Sequence, residues 1–415
     1  MKLTEGGKLK TNQVPRIPDV GVIGLVPDFW GGPWMPRHYV LTRLAEYFNV
    51  IWVSPARPWR HIVFKDKSNW MGEINRWEAP GFIYYDHLKW LPKIYRNRSL
   101  DSFIEKQRMR QVLRKLGEHG CKKIISYLWR PEFESSLNVS HPDLACYHID
   151  DEYTFSNLEK PMSDLETRVI SRVDQVFIHS PALMEKKGGI NPNTLYVPNG
   201  VEYKAYVTPR EEPADMKSIP HPRIGYVGVV KRQLDLPLMV ALARNHREWS
   251  FVFVGPQLHL HGREHLIKEL EEMPNVHFLG GKPNCDLPAY VQHMDVCMLC
   301  YDVNGYTKFI YPLKLHEYLA SGRPVVGSPI ATLQNYSHVI ALAGTALEWS
   351  SAITRALAPE AVTAAKVEER RRIASEYDWN KLVYRIAEKM CERLGPEYSE
   401  RLKRISPQVL SNADR

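Results

Sequence analysis

Short apolar runs alternate with stretches of helical period along this chain, and the alternation breaks once, at a proline-dense segment, before it restarts. A run that is apolar at every position suits a strand buried on both faces. Helices between such strands cover those faces, so the pattern predicts parallel sheets of α/β type. In the first half the runs are Val20–Val26, Val50–Ser54, Phe82–Tyr85, Lys123–Leu128, Ala145–Ile149, Gln175–His179 and Thr194–Val197. The first is followed by the loop Pro27–Trp34 and a helical pattern over Arg37–Phe48. The segment Thr208–Pro222 carries four prolines in 15 residues, the composition of a linker. Beyond it the runs are Arg223–Val230, Trp249–Val254, Asn275–Leu279, Asp295–Cys300, Pro324–Gly327 and Val339–Leu342, and the tail from Glu348 to Arg404 is mostly helical. The chain therefore reads as two open α/β domains, 1–207 and 223–375, joined by 208–222. Ligands of such sheets bind beyond the carboxyl ends of the strands, which puts a site in the cleft where two such domains face each other.

Composition narrows the classes. Of the 415 residues 44% are hydrophobic and 25% charged, close to soluble globular averages, which argues against disordered and fibrous chains. The first 20 residues are polar with no apolar signal core, and no run of about 18 uncharged apolar residues occurs. The expectation is a cytoplasmic protein, at most peripheral on the inner face of a membrane. Six irregularly spaced cysteines form no disulfide framework, and Cys297 and Cys300 lie in an apolar run that reads as a buried strand. Lys plus Arg number 55 against 47 Asp plus Glu, a net charge of +8 that suits an anionic partner. The excess is local: residues 54–130 hold 17 basic and 7 acidic side chains, whereas 131–200 hold 5 and 11. Eight of the 11 tryptophans fall in the first 130 residues, and basic residues beside Trp and Tyr suit an anionic membrane surface at 54–130. No nucleic-acid-binding motif accompanies the charge, so nucleic acid is not an expected partner.

The stretch Lys308–Gly327 carries the most chemistry. Pro312 can open a helix, Gly322 can end it, and Pro324-Val-Val starts a buried strand. Glu317 sits mid-helix on a face with Leu313 and Ala320, where a carboxylate needs a partner; ribose hydroxyls would supply one. Backbone amides of Phe309, Ile310, Tyr311 and Leu313, at the helix start, suit phosphate or sugar oxygens. In the first half, Gly31 and Gly32 follow the first strand and let backbone approach a ligand. At another strand end, Cys146–Tyr153 places His148 beside three consecutive acids, with Asp150 or Asp151 able to orient or deprotonate an acceptor hydroxyl. The alternative for those acids is a helix N-cap with first-turn carboxylates. The histidines His259, His261 and His265 read as an exposed loop, and no metal site is expected.

Pro312-Leu-Lys-Leu-His-Glu-Tyr-Leu-Ala-Ser-Gly-Arg-Pro-Val-Val326 resembles the motif of retaining glycosyltransferases of GT-B fold, specifically glycosyltransferase family 4. Val197–Glu202, Arg223–Gly228 and Trp249–Pro256 resemble further segments of that family, in the expected order. The resemblance implies two facing Rossmann-like domains with an interdomain cleft. It places the acceptor in the first domain and a nucleoside diphosphate sugar in the second, with helices 376–415 packing back on the first. It implies a metal-independent hexosyltransferase that needs no cofactor and acts on a glycan or lipid-linked acceptor in cell-envelope polysaccharide assembly. Glu317 matches the later Glu of the family's E-x₇-E motif, which binds ribose; the earlier position is Phe309 here. Lys231 and Arg232, after the first strand of the second domain, match the basic residues that hold the diphosphate, with Lys314 a further candidate and Gly255 at the end of the next strand. At the strand end Cys146–Tyr153, His148 is placed to contact the donor sugar. Phe309 also keeps two other readings open: a non-catalytic binding partner, recognised by donor binding without nucleoside diphosphate release, and a sugar-nucleotide epimerase, recognised by turnover without acceptor.

Overall fold

The structure is a computed structural model that describes residues 2–3, 9–10, 14–30, 34–55, 80–85, 98–153, 162–258 and 260–413, with backbone alone for 2–3, 9–10, 98 and 405–413. The first sheet has seven parallel strands: β1 (Val20–Leu25), β2 (Asn49–Val53), β3 (Phe82–Tyr85), β4 (Lys123–Leu128), β5 (Leu144–Ile149), β6 (Gln175–Ile178) and β7 (Thr194–Tyr196). Their order across the sheet is β3-β2-β1-β4-β5-β6-β7. The second sheet is also all parallel: β8 (Arg223–Val227), β9 (Ser250–Val254), β10 (Val276–Phe278), β11 (Val296–Leu299), β12 (Val325–Gly327) and β13 (Ala341–Leu342). Its order is β10-β9-β8-β11-β12-β13. Each sheet thus starts in the middle, builds outward, then reverses, and the reversal leaves a crevice at the carboxyl ends of β1 and β4, and of β8 and β11.

The strands form where the sequence is continuously apolar. All six residues of β1 and all five of β9 are buried. The helices used below are α1 (Pro36–Leu44), α2 (Arg98–Glu118), α3 (Asp164–Arg172), α4 (Pro181–Lys187), α5 (Leu236–Asn245), α6 (Leu313–Ser321), α7 (Trp379–Leu394) and α8 (Pro396–Ala413). One core fills the second sheet, and two lie on opposite faces of the first. The segment read as a linker is packed: Met216 and Ile219 are buried in the second core, and the Arg223 guanidinium donates to both of their carbonyls at 2.8 Å.

The chain's last helices return to the first sheet. Trp379, Leu382, Val383, Ile386, Ala387, Met390 and Cys391 form one stripe of α7, and all join the first-sheet core. That spacing is the 3.6-residue period of a helix with one buried face. Asp378 caps the helix by accepting the Asn380 N–H at 2.7 Å, and Trp379 stacks on Tyr39 of α1 with ring centres 5.2 Å apart. Arg401 of α8 donates two bonds, of 2.9 and 2.5 Å, to Asp19 just before β1. All six cysteines are free. Among the described residues no helix is long and apolar enough to cross a membrane.

Trp379 is 2% exposed, so Trp379→Ala removes a large side chain from the first-sheet core and is expected to cost about 3–5 kcal/mol. Urea unfolding checks this; an unchanged midpoint would show that α7 is no part of that core.

Candidate active site

The three consecutive acids after β5 do three different things. Asp150 accepts from Arg37 Nη1 at 2.5 Å, while Arg37 Nε bonds Asp28 after β1. Burial works against the Arg37 charge, but the Asp150 and Asp28 carboxylates overcome it and raise its pKa. The Tyr153 hydroxyl also reaches Asp150. Glu152 turns inward, where its Oε1 lies 3.3 Å from the Lys187 ammonium and its Oε2 lies 3.3 Å from that of Lys186. Lys187 also pairs with Glu166 of α3 at 2.8 Å, and Glu166 accepts from the Tyr147 hydroxyl at 3.2 Å. Asp151 alone faces the second domain. Its Oδ2 accepts the Tyr306 hydroxyl at 3.3 Å, and its Oδ1 accepts the Glu152 N–H at 2.8 Å. Burial and the neighbouring Asp150 push its pKa up to about 6, with the Lys231 ammonium pulling the other way.

His148 lies inside the first sheet. Tyr127 and His148 Nδ1 share a hydrogen bond of 2.8 Å, and the imidazole stacks on Trp129 at 4.2 Å. Burial, then the nearby His179 and Arg37, hold its pKa well below the usual range, so it is neutral. Gly31 and Gly32 lie outside the described residues. Flanking them, Trp30 and Trp34 sit 6.1 Å apart and half-buried, over His38, Trp52 and Phe82.

The second domain faces this loop with the ends of β8 and β9. Gly228 and Gly255 have φ of +145° and +148°, and a Cβ on Gly255 would stand 2.1 Å from the Gly228 carbonyl oxygen. A Cβ on Gly228 would stand 2.0 Å from the Lys314 side chain, so both turns need glycine. Helix α6 is pinned below them, because the Tyr318 hydroxyl accepts the Val227 N–H at 2.8 Å. This brings the Lys314 ammonium over the Tyr226 ring, 5.3 Å from its centre, and turns Glu317 toward Tyr206 and Glu202. Burial lowers the Lys314 pKa to about 8; Glu317 opposes that shift and Lys231 adds to it. Burial raises the Glu317 pKa against Lys314 and a hydrogen bond from Tyr206. Lys231 is lowered by burial and raised by Asp151 across the cleft. Arg232 lies close enough to Tyr306 for its charge to favour the phenolate, against the larger effect of burial.

The residues before α6 serve the seam between the domains. The Phe309 and Ile310 N–H groups donate to Tyr306 and Thr307 in a tight turn, which occupies two of the amides that the sequence offers to a ligand. Phe309 is buried in a first-domain core, with Lys186 5.2 Å from its ring centre. Leu313 packs on the other first-domain core. Ile310 gives its carbonyl to Thr332, and Tyr311 gives its carbonyl to Asn199 and its hydroxyl to His316 and Tyr336. Of the first-turn amides of α6, that of Leu315 donates to the Pro312 carbonyl at 3.2 Å. Arg37, Tyr153, Tyr206 and Tyr306 are site residues that sequence reasoning missed. Only Arg37 had a signal, its place in the first turn of the helix after the first strand. Among the described residues no three His, Cys, Asp or Glu side chains converge as a metal site.

Asp151 gives a stability test with a definite sign. Its folded pKa lies above the ordinary 3.8, so the folded state holds the proton more tightly and stability falls as pH rises from about 4 to about 6. Asp151→Asn is expected to stabilise the fold by about 2 kcal/mol at pH 7.5 and to change little near pH 4. Urea unfolding at the two pH values checks this, and a gain that is the same at both would refute the buried-carboxyl assignment.

Residues 221–358 match the family described as glycosyl transferases group 1. A Bacillus subtilis protein that bears the name of a teichuronic acid biosynthesis glycosyltransferase, TuaH, is 28% identical over 239 residues. That match covers 55% of this chain and 59% of the relative's length. Among solved structures, a glycosyltransferase from Rickettsia africae ESF-5 superposes with a TM-score of 0.64 at 12% identity, covering 91% of this chain and 99% of that one. An Escherichia coli trehalose-6-phosphate structure bound with UDP-2-fluoro glucose does so with a TM-score of 0.62 at 11% identity, covering 90% and 99%. At such identity these likenesses bear on fold alone. The chain has the GT-B fold, and its residues 221–358 match the glycosyl transferases group 1 family.

Proposed function

We propose that this protein is a glycosyltransferase that moves a hexose-type sugar from a nucleoside diphosphate to a hydroxyl of a glycan or lipid-linked acceptor in cell-envelope polysaccharide assembly. One observation carries the reading: Lys231, Lys314 and Glu317 of the second domain and Asp151 of the first converge on the cleft between the two strand-end crevices. Cations held in a water-poor site stabilise the charge that builds on a leaving diphosphate. Lys231, Arg232 and Lys314 fill that role without a metal. Glu317 takes the ribose hydroxyls, and its present donor, Tyr206, shows that the carboxylate accepts from a hydroxyl. The glycine turns at Gly228 and Gly255 leave the backbone bare for the donor. Asp150 is engaged by Arg37, so Asp151 is the acid that meets the acceptor hydroxyl. Retention of configuration rests on the resemblance of the Pro312–Val326 stretch, and the envelope acceptor on the name of the Bacillus relative.

The reading also sets the basic stretch 54–130 against an anionic membrane. Residues 56–79 and 86–97 of it lie outside the described residues. Within the rest, α2 exposes Leu100 and Phe103 among its Lys and Arg side chains. Co-sedimentation with phosphatidylglycerol vesicles is expected and with phosphatidylcholine vesicles is not; equal binding to both would dismiss the charged surface.

The experiment is a screen of UDP-, GDP-, ADP- and dTDP-sugars for thermal stabilisation. Nucleoside diphosphate release with an acceptor glycan, with and without EDTA, then tests turnover, and proton NMR of the product's anomeric centre tests retention. Glu317→Ala should weaken donor binding, and Lys231→Ala with Arg232→Ala should lower turnover by about a hundredfold or more with the fold intact. Unchanged donor affinity in the first variant removes the ribose assignment. Full turnover in the second removes the two cations from the site.

A further inference from the structure

A second pocket of about 450 Å³ opens at the far end of the second sheet, where β12 and β13 begin rather than end. It therefore lies on the opposite side from the Gly228 and Gly255 turns. Its wall is apolar at Ile340, and its charged lining is Arg355, Lys366, Arg370 and Glu369, with His338 at the rim.

Arg370 is the unusual member. It is 6% exposed, its Nε has no hydrogen-bond partner, and its Nη1 donates to the Gly322 carbonyl at 3.0 Å. No carboxylate among the described residues stands within ion-pair distance of it, because Glu369 pairs instead with Lys366 at 2.9 Å. A guanidinium carries five donors, and burying it without an anion is costly. Arg355 adds a second cation on an exposed helix turn. With Glu369 held by Lys366, the pocket presents unmatched positive charge next to an apolar wall. The volume falls in the range of small-ligand sites.

We infer that this pocket is a second, anion-binding site that takes a small phosphomonoester with an apolar body. The phosphate meets Arg370 and Arg355, the geometry for which guanidinium is best suited, and Lys366 stands beside them. The organic part lies on the Ile340 wall.

Isothermal titration of the full chain at fixed ionic strength tests this, with inorganic phosphate and phenyl phosphate as probes. The chain carries Lys231→Ala, Arg232→Ala and Lys314→Ala, which remove the three cations assigned to the interdomain cleft, so that a failure there is read separately. Phenyl phosphate is expected to bind at one site and more tightly than inorganic phosphate. Adding Arg355→Ala and Lys366→Ala, both on the exposed rim and safe for folding, should weaken it by about tenfold or more. Arg370→Lys should do the same with the melting temperature preserved. No binding of either probe up to about 10 mM, or equal affinity in the rim variant, overturns the site. Equal affinity for the two probes overturns the apolar part of the ligand.

Discussion

Lys187 has no exposed side-chain surface, and its ammonium lies 2.8 Å from Glu166 and 3.3 Å from Glu152. A buried cation with one carboxylate would be a poor bargain, since desolvating both groups opposes their attraction. Here two carboxylates and the Tyr147 hydroxyl share the site, and the partners come from β5, the loop after it, α3 and α4. The network therefore does more than add stability. It fixes the backbone at Glu152, and with it the direction in which Asp150 and Asp151 leave the strand. Asp150 is carried to Arg37 and Asp151 to the second domain. The anchor under Glu152 acts with Arg37 on Asp150 and Tyr306 on Asp151 to set three adjacent acids in three directions.

The same reasoning applies across the cleft. Lys231 and Lys314 are half-buried cations whose pKa values are both pulled down, and Lys314 feels the field of Lys231. Asp151 and Glu317 are carboxylates whose pKa values are both pushed up. Four groups held against their preferred charge states in one crevice form an unrelieved electrostatic arrangement. A dianionic ligand between the lysines would oppose that shift by stabilising their charge. The field acts through low-dielectric surroundings, so each interaction is stronger than the same contact in water. The glycine turns supply the complement, because bare backbone lets the ligand come close enough for that field to matter.

Much of the fold was legible in the sequence because parallel strands are apolar throughout. The runs Phe82–Tyr85 and Lys123–Leu128 match observed strands residue for residue, and the others differ by a residue or a few at the ends. Glu317 was legible for a related reason, a carboxylate set on the buried side of a short helix. What stayed hidden is pairing at long range. Arg37 and Asp150 are 113 residues apart, and no local pattern joins them. Tyr306 looks like a loop aromatic until the domains face each other and its hydroxyl meets Asp151. The packing of the linker was hidden for the opposite reason. Prolines signalled irregular backbone correctly, but irregular backbone can still bury Met216 and Ile219, and only Arg223's bonds to their carbonyls show that it does.

Phe309 brings these threads together. By resemblance its position should hold a carboxylate beside the transferred sugar, and a charged group there would have to stay near solvent or a ligand. A phenyl ring has the opposite demand. It is 2% exposed, packed in a first-domain core with Lys186 lying 5.2 Å from the ring centre, although it belongs to the second domain's chain. The substitution thus converts a sugar contact into a clasp between domains. Leu313 repeats the move four residues on, against the other first-domain core. The loop that begins α6 is held at both ends by apolar burial in the partner domain, so any opening of the cleft must first expose two hydrophobic side chains. Under the proposed function, with no carboxylate at 309 and the Phe309 and Ile310 amides used in their own turn, recognition of the sugar falls to groups on the first-domain side. Asp151, which meets Tyr306 of the second domain, stands there.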